Sequence, residues 1–123
     1  MERYVLVVGV VVGETEPFMK DARRLLTEDE LTSLIDRLAR NPEEGVVIPG
    51  TGGVRKTRVG LGGRGKRGGG RVIYFYHDET IPLYLLAIYA KNEKVDLSAD
   101  EKAEMKDLVK RIVRSFKRHR QAG

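Results

Sequence analysis

Arg71-Val72-Ile73-Tyr74-Phe75-Tyr76, a polar connection over His77–Pro82, and Leu83-Tyr84-Leu85-Leu86-Ala87-Ile88-Tyr89-Ala90 are the residues that decide the fold. Both apolar runs carry hydrophobic side chains at nearly every position. That is the pattern of central strands covered on both faces, not the alternation of half-exposed ones. A short link between them favours antiparallel pairing.

Upstream, Val54–Val59 alternates enough to be a third strand, and Val46–Ile48 is short enough for one more extended piece. Pro49-Gly50-Thr51-Gly52-Gly53 between them reads as a turn, and Gly60–Gly70, with seven glycines in eleven residues, as a loop. Before this block come two helical patterns. Thr15, Glu16 and Pro17 give an N-cap with proline in the first turn, and Phe18, Ala22 and Leu25 recur at helical spacing over residues 16–26. Thr27 with Glu30 is a capping box opening the stripe Leu31, Leu34, Ile35, Leu38 and Ala39, which Asn41-Pro42 ends. The two helices are nearly contiguous and predict a helical hairpin. Downstream, Ser98 and Glu101 form a second capping box ahead of Met105, Leu108, Val109, Ile112, Val113 and Phe116, a clean amphipathic stripe.

The valine-rich run Tyr4–Val12 is too short to span a bilayer, which takes about 20 apolar residues. Its short Glu2-Arg3 leader and the following Gly13-Glu14-Thr15-Glu16 do not suit a signal peptide, so it reads as one buried strand. The expected class is α+β: an antiparallel sheet packed by an N-terminal helical hairpin and a C-terminal helix, in the order β-α-α-β-β-β-α. No repeat or linker divides the 123 residues, which predict a single domain over 1–123.

Charge is the functional signal. The chain carries a net +5, yet Arg55, Lys56, Arg58, Arg64, Lys66, Arg67 and Arg71 fall between Val54 and Arg71 with no acid among them. Without those seven, 16 basic residues face 18 acidic ones. A second basic cluster runs from Lys106 to Arg120. Concentrated cations release counterions from a phosphate backbone and grip it without regard to sequence, and glycines let a loop approach closely.

Other chemistries find little support. There is no cysteine, hence no disulfide, thiol nucleophile or cysteine zinc site, and the composition suits a reducing cytoplasm. His77 lies in a predicted turn and His119 in a basic tail, and neither has metal-site or triad spacing, so no metal or cofactor is expected. Gly65-Lys66-Arg67 is followed by glycine and a strand, unlike a Walker or dinucleotide loop. A cationic cluster can cleave RNA without metal. It promotes loss of the ribose 2′-hydroxyl proton, stabilises the phosphorane charge and protonates the 5′-oxygen. On a strand, Lys56 and Arg58 share a face about 7 Å apart while Arg55 points the other way.

Val47-Ile48-Pro49-Gly50-Thr51-Gly52-Gly53-Val54-Arg55-Lys56, Gly65-Lys66-Arg67-Gly68-Gly69-Gly70-Arg71-Val72-Ile73-Tyr74-Phe75-Tyr76, and Leu85–Leu97 around Tyr89-Ala90-Lys91-Asn92-Glu93 resemble RelE/HigB-like toxins of bacterial type II toxin–antitoxin systems. The resemblance covers most of the chain. It implies a RelE-like microbial ribonuclease fold and a cytoplasmic, ribosome-dependent endoribonuclease that cuts messenger RNA in the ribosomal A site, leaving a cyclic phosphate. It further implies contacts with ribosomal RNA, a cognate antitoxin that blocks the enzyme, and neither membrane nor small-molecule cofactor.

Lys56 and Arg58 match the family's paired cations and Arg71 the arginine that contacts the scissile phosphate. The family's last-strand arginine has no match, and Lys91 is added to the catalytic set as the cation there, with Arg55, Arg64, Lys66, Arg67 and Lys94 as RNA- or ribosome-binding residues. The chain departs from the family after Asn92, where no tyrosine follows. That leaves the general acid and base open, with Tyr89 near. Two other activities stay open: a DNA gyrase inhibitor like the related ParE branch, and a non-catalytic RNA- or ribosome-binding module.

Overall fold

The computed structural model describes residues 2–62 and 69–122. Among these residues six strands and three helices follow in the order β1 (Arg3–Val7), β2 (Val10–Glu14), α1 (Glu16–Leu25), α2 (Glu28–Arg40), β3 (Val46–Val47), β4 (Val54–Val59), β5 (Gly70–Phe75), β6 (Leu83–Ala90) and α3 (Ala99–Ala122). The strands form one sheet in the order β1-β2-β6-β5-β4-β3. As their apolar runs demand, β5 and β6 lie at its centre.

Two expectations need correction. The run Tyr4–Val12 is not one strand but a tight hairpin, with Val7 paired to Val10 across Val8 and Gly9. A two-residue turn that fits the sheet's twist needs positive φ at both central positions. Gly9 supplies +83° freely and Val8 is held at +44°. The sheet is also mixed, because β2 runs parallel to β6, with Val12 beside Leu83 and Glu14 beside Leu85. The crossover from β2 to β6 contains α1, α2 and three strands, and that length permits parallel pairing. The chain thus starts with a strand hairpin, and the order is β-β-α-α-β-β-β-β-α in place of the expected β-α-α-β-β-β-α with a helical hairpin first. The two helices follow it, packed chiefly on the sheet, α1 over β6 and α2 over β2 and β1.

The capping boxes hold. Thr27 and Glu30 bond each other's backbone amides at 3.1 and 2.9 Å, and Ser98 and Glu101 do so at 3.1 and 2.8 Å. Thr15 occupies the N-cap position of α1, but its hydroxyl donates to the Leu85 carbonyl at 2.8 Å and so ties the helix to β6 instead of capping it.

Each sheet face has its own core. Under α1 and α2 lie Val12, Phe18, Leu25, Leu34, Leu38, Val72, Tyr74, Leu85 and Ile88. Under α3 lie Val54, Ile73, Phe75, Leu86 and Val109. A fully buried side chain of this size stabilises the fold by roughly 1.5–3 kcal/mol. A register shift beside Ile73 and Tyr74 places both Leu86 and Ala87 toward α3. Beyond the end of α3's cover, this second face turns from apolar to charged.

Candidate nucleic-acid interface

The site begins with alternation along β4. Val54 is buried under α3 and Val59 under the other helices, so Lys56 and Arg58 share the α3 face while Arg55 and Thr57 take the opposite one. Pairing between β4 and β5 puts Arg58 opposite Arg71, and pairing between β5 and β6 puts Arg71 opposite Tyr89. Arg58, Arg71 and Tyr89 therefore form a row across three strands, with neighbours roughly 5 Å apart. Lys56 lies one step along, opposite Ile73.

The row faces solvent at its β4 end, where Arg58 is exposed, and closes toward β6, where Tyr89 is buried. Arg71 sits between, half-buried, with Nη1 donating to the Gly70 carbonyl at 3.1 Å. The link from β6 to α3 wraps this end. Lys94 lies 5.9 Å from the centre of the Tyr89 ring and pairs with Glu101. Asp96 stands 3.8 Å from the Lys56 amine. The Lys94 hydrogen bond and the Ser98 amide hold the Glu101 carboxyl below its ordinary range. Burial, aided by the Asp96 charge, pushes the Tyr89 phenol up against the pull of Arg71, so it stays protonated at neutral pH. Arg24 of α1 anchors the same link by a double contact with Glu93, at 2.8 and 3.1 Å.

The sequence-predicted residues divide accordingly. Lys56, Arg58 and Arg71 come together on one face, and Lys94 joins them at the Tyr89 end. Lys91 is exposed just past β6, its amide continuing the ladder to the Gly69 carbonyl at 3.1 Å. Arg55 does not join them. It lies on the opposite face, where its guanidinium donates to the carbonyls of Glu43 (3.1 Å) and Gly45 (2.8 Å) and clamps the segment before β3. Arg64, Lys66 and Arg67 lie outside the described residues.

Sequence reasoning missed the carboxylates Asp96 and Glu101, as well as the brace behind β4. There Glu44 accepts from the Thr57 hydroxyl (2.7 Å) and pairs with Arg37 (3.2 Å), whose other nitrogen donates to the Arg58 carbonyl. No local motif marks these residues, because their partners come from distant elements. Among the described residues, no three His, Asp or Glu side chains gather as a metal ion would require.

The arrangement presents converging cations, a buried phenol and the carboxylates Asp96 and Glu101, which is suited to a phosphodiester. Comparison with known proteins gives the family. The family model described as RelE toxin of the RelE/RelB toxin–antitoxin system matches residues 12–121. The chain is also similar in fold to the solved structure of the E. coli toxin RelE, a mutant with two arginines changed to alanine, in the free state. That likeness has a TM-score of 0.50 at 16% identity and covers 89% of this chain and 99% of the other. The family match opens at Val12, so β1 and the first half of β2 precede it.

Proposed function

The chain belongs to the RelE toxin family of toxin–antitoxin systems, and from that premise we propose that it is a ribosome-dependent endoribonuclease cutting messenger RNA on the α3 face of its sheet. The observation that carries this reading is the cross-strand pair of Arg58 and Arg71 on the face α3 leaves uncovered. Two guanidinium groups fixed on adjacent strands offer parallel donors to the non-bridging oxygens of one phosphate, and rigid strands hold them in place.

In the proposed reaction the ribose 2′-oxygen attacks the neighbouring phosphorus and the bond to the 5′-oxygen breaks, leaving a 2′,3′-cyclic phosphate. Arg58 and Arg71 stabilise the phosphorane charge as it develops. Lys56 adds a third positive charge and holds the Asp96 carboxylate 3.8 Å away. Asp96 is the group placed to accept the 2′-hydroxyl proton. Tyr89 keeps its proton and therefore serves as a hydrogen-bonding wall, not a base. The 5′-oxygen takes up a proton as it leaves, and the exposed Lys91 ammonium where the leaving strand exits is its donor, with half-buried Lys94 adding charge. The partners are messenger RNA in the ribosomal A site, ribosomal RNA and a cognate antitoxin whose acidic segment covers this face. The setting is the cytoplasm.

Primer extension on a message, with and without translation, tests the reading. Cuts that appear only during translation, and vanish with Arg71→Ala, support it. Growth arrest with intact messages would overturn it and favour gyrase inhibition or binding without cleavage.

A further inference from the structure

We infer that the flank of α3 turned toward the turn at residues 50–53 is a second binding site, taking a single-stranded RNA segment by its phosphates and one base. The choice of RNA rests on the reading proposed above, but the site is separate from the Arg58–Arg71 row.

The observations are these. A cleft of about 520 Å³ runs between α3 and the sheet end, bordered by Lys110, Arg114, Lys117 and Arg118 of α3, by Gly52, and by Phe75 and His77. Among the described residues no carboxylate lines it. The four basic side chains are exposed. Lys110, Arg114 and Lys117 follow one helical flank, and Lys106 extends it by another turn, its stem reaching the Gly52 turn. Steps of four residues along a helix place cations about 6 Å apart, comparable to successive phosphates of an extended strand. Gly52 adopts φ +76°, and a Cβ there would press to 3.1 Å from the Val109 side chain, so glycine keeps this wall low against the helix.

At the end of the cleft His77 lies nearly parallel to Phe75, with ring centres 6.1 Å apart and planes 26° from each other. Its side chain is 40% exposed. A ring backed by a buried phenylalanine beside a row of cations is the combination that captures an unstacked base with its backbone. An acidic peptide would use the cations but leave the ring idle. Asp78 stands 3.7 Å from the His77 imidazole. Asp107 is on the other flank, paired with Arg111 at 3.1 Å.

The test measures binding of a labelled, unstructured oligoribonucleotide by anisotropy between roughly 50 and 200 mM salt, using full-length protein carrying Arg71→Ala so that cutting plays no part. Adding Lys110→Gln, Arg114→Gln and Lys117→Gln should weaken binding at least tenfold at low salt. The salt slope should fall by about 2, at roughly 0.7 per lost phosphate contact. His77→Ala alone should weaken binding about fivefold or more and leave the slope intact. Unchanged affinity in the triple variant overturns the site. Equal losses for the RNA and for polyglutamate, with His77→Ala silent, overturn RNA as its occupant. If the ribonuclease reading fails instead, cleavage will not depend on Arg71 while these binding differences persist.

Discussion

Arg55 and Lys56 are adjacent in sequence and serve opposite faces of β4. On one face Arg55, Thr57 and Tyr74 close onto the segment leading into β3. Arg55 bonds two carbonyls, Thr57 bonds Glu44, and the Tyr74 hydroxyl donates to Pro42 while accepting from the Gly45 amide, both at 2.8 Å. On the other face, among the described residues, Lys56 meets Asp96 at 3.8 Å beside Arg58 and Arg71. The cation on the first face is held by the fold's own carbonyls. The cations on the second await an external anion. Composition counts both alike, and strand alternation separates them.

The largest effects should come from breaking the open face. Arg71→Ala should lower single-turnover cleavage on programmed ribosomes by on the order of 10²–10³, the loss expected for one fixed donor at a developing charge. Thermal unfolding should barely move, since among the described residues the Arg71 side chain bonds its neighbour's carbonyl. Asp96→Asn should follow at about 10², with RNA affinity held or raised because Lys56 is released. A variant that cuts at the parental rate would remove Asp96 from the chemistry.

Breaking the closed face should reverse the pattern. Tyr74→Phe leaves the Gly45 amide and the Pro42 carbonyl without their partner in a buried setting and should destabilise by about 1–3 kcal/mol. Arg55→Met keeps the aliphatic stem but loses two bonds from a charged donor, about 1.5–3 kcal/mol. Denaturant titration reads both losses, while cleavage per folded molecule should stay at the parental level. A selective loss of cleavage in Arg55→Met would return Arg55 to the RNA-binding set.

The same contrast shows what the sequence made legible. Val54–Val59, Leu83–Ala90 and both capping boxes were readable because their signals are local: side-chain period, turn glycines, and a Ser or Thr three residues before Glu. Alternation even assigned Arg55 away from Lys56. The strand hairpin escaped because valines run through Tyr4–Val12 with Gly9 as the lone break, and a valine at φ +44° is a conformation that sequence rules discourage. The parallel join of β2 to β6 depends on residues about 70 positions apart. Within the site, Asp96 meets Lys56 across 40 positions, and Glu44 reaches β4 from a loop. Such contacts follow from topology and leave no spacing to read.

The gentlest way to sharpen the comparison is acid titration, because each face carries a carboxylate shifted in the opposite direction. Glu14, buried under α1 beside Arg3, is raised above its ordinary 4.5 by burial, with Arg3 opposing at 3.2 Å. A raised carboxyl contributes stability that is complete below 4.5 and is lost as pH climbs through the folded value. Glu101 is lowered from 4.5 by Lys94 and the Ser98 amide, so its contribution is present above 4.5 and is lost as pH falls through the folded value. Unfolding followed between neutral pH and about pH 3 should therefore respond oppositely to two substitutions. Against the parent, Glu14→Gln should gain most at neutral pH, and its relative advantage should shrink on acidification. Glu101→Gln should lose most at neutral pH and converge with the parent in acid. Parallel curves for either variant would mean that its carboxyl is not shifted by its face, and the contrast between sealed and open sides would then rest on the arginines alone.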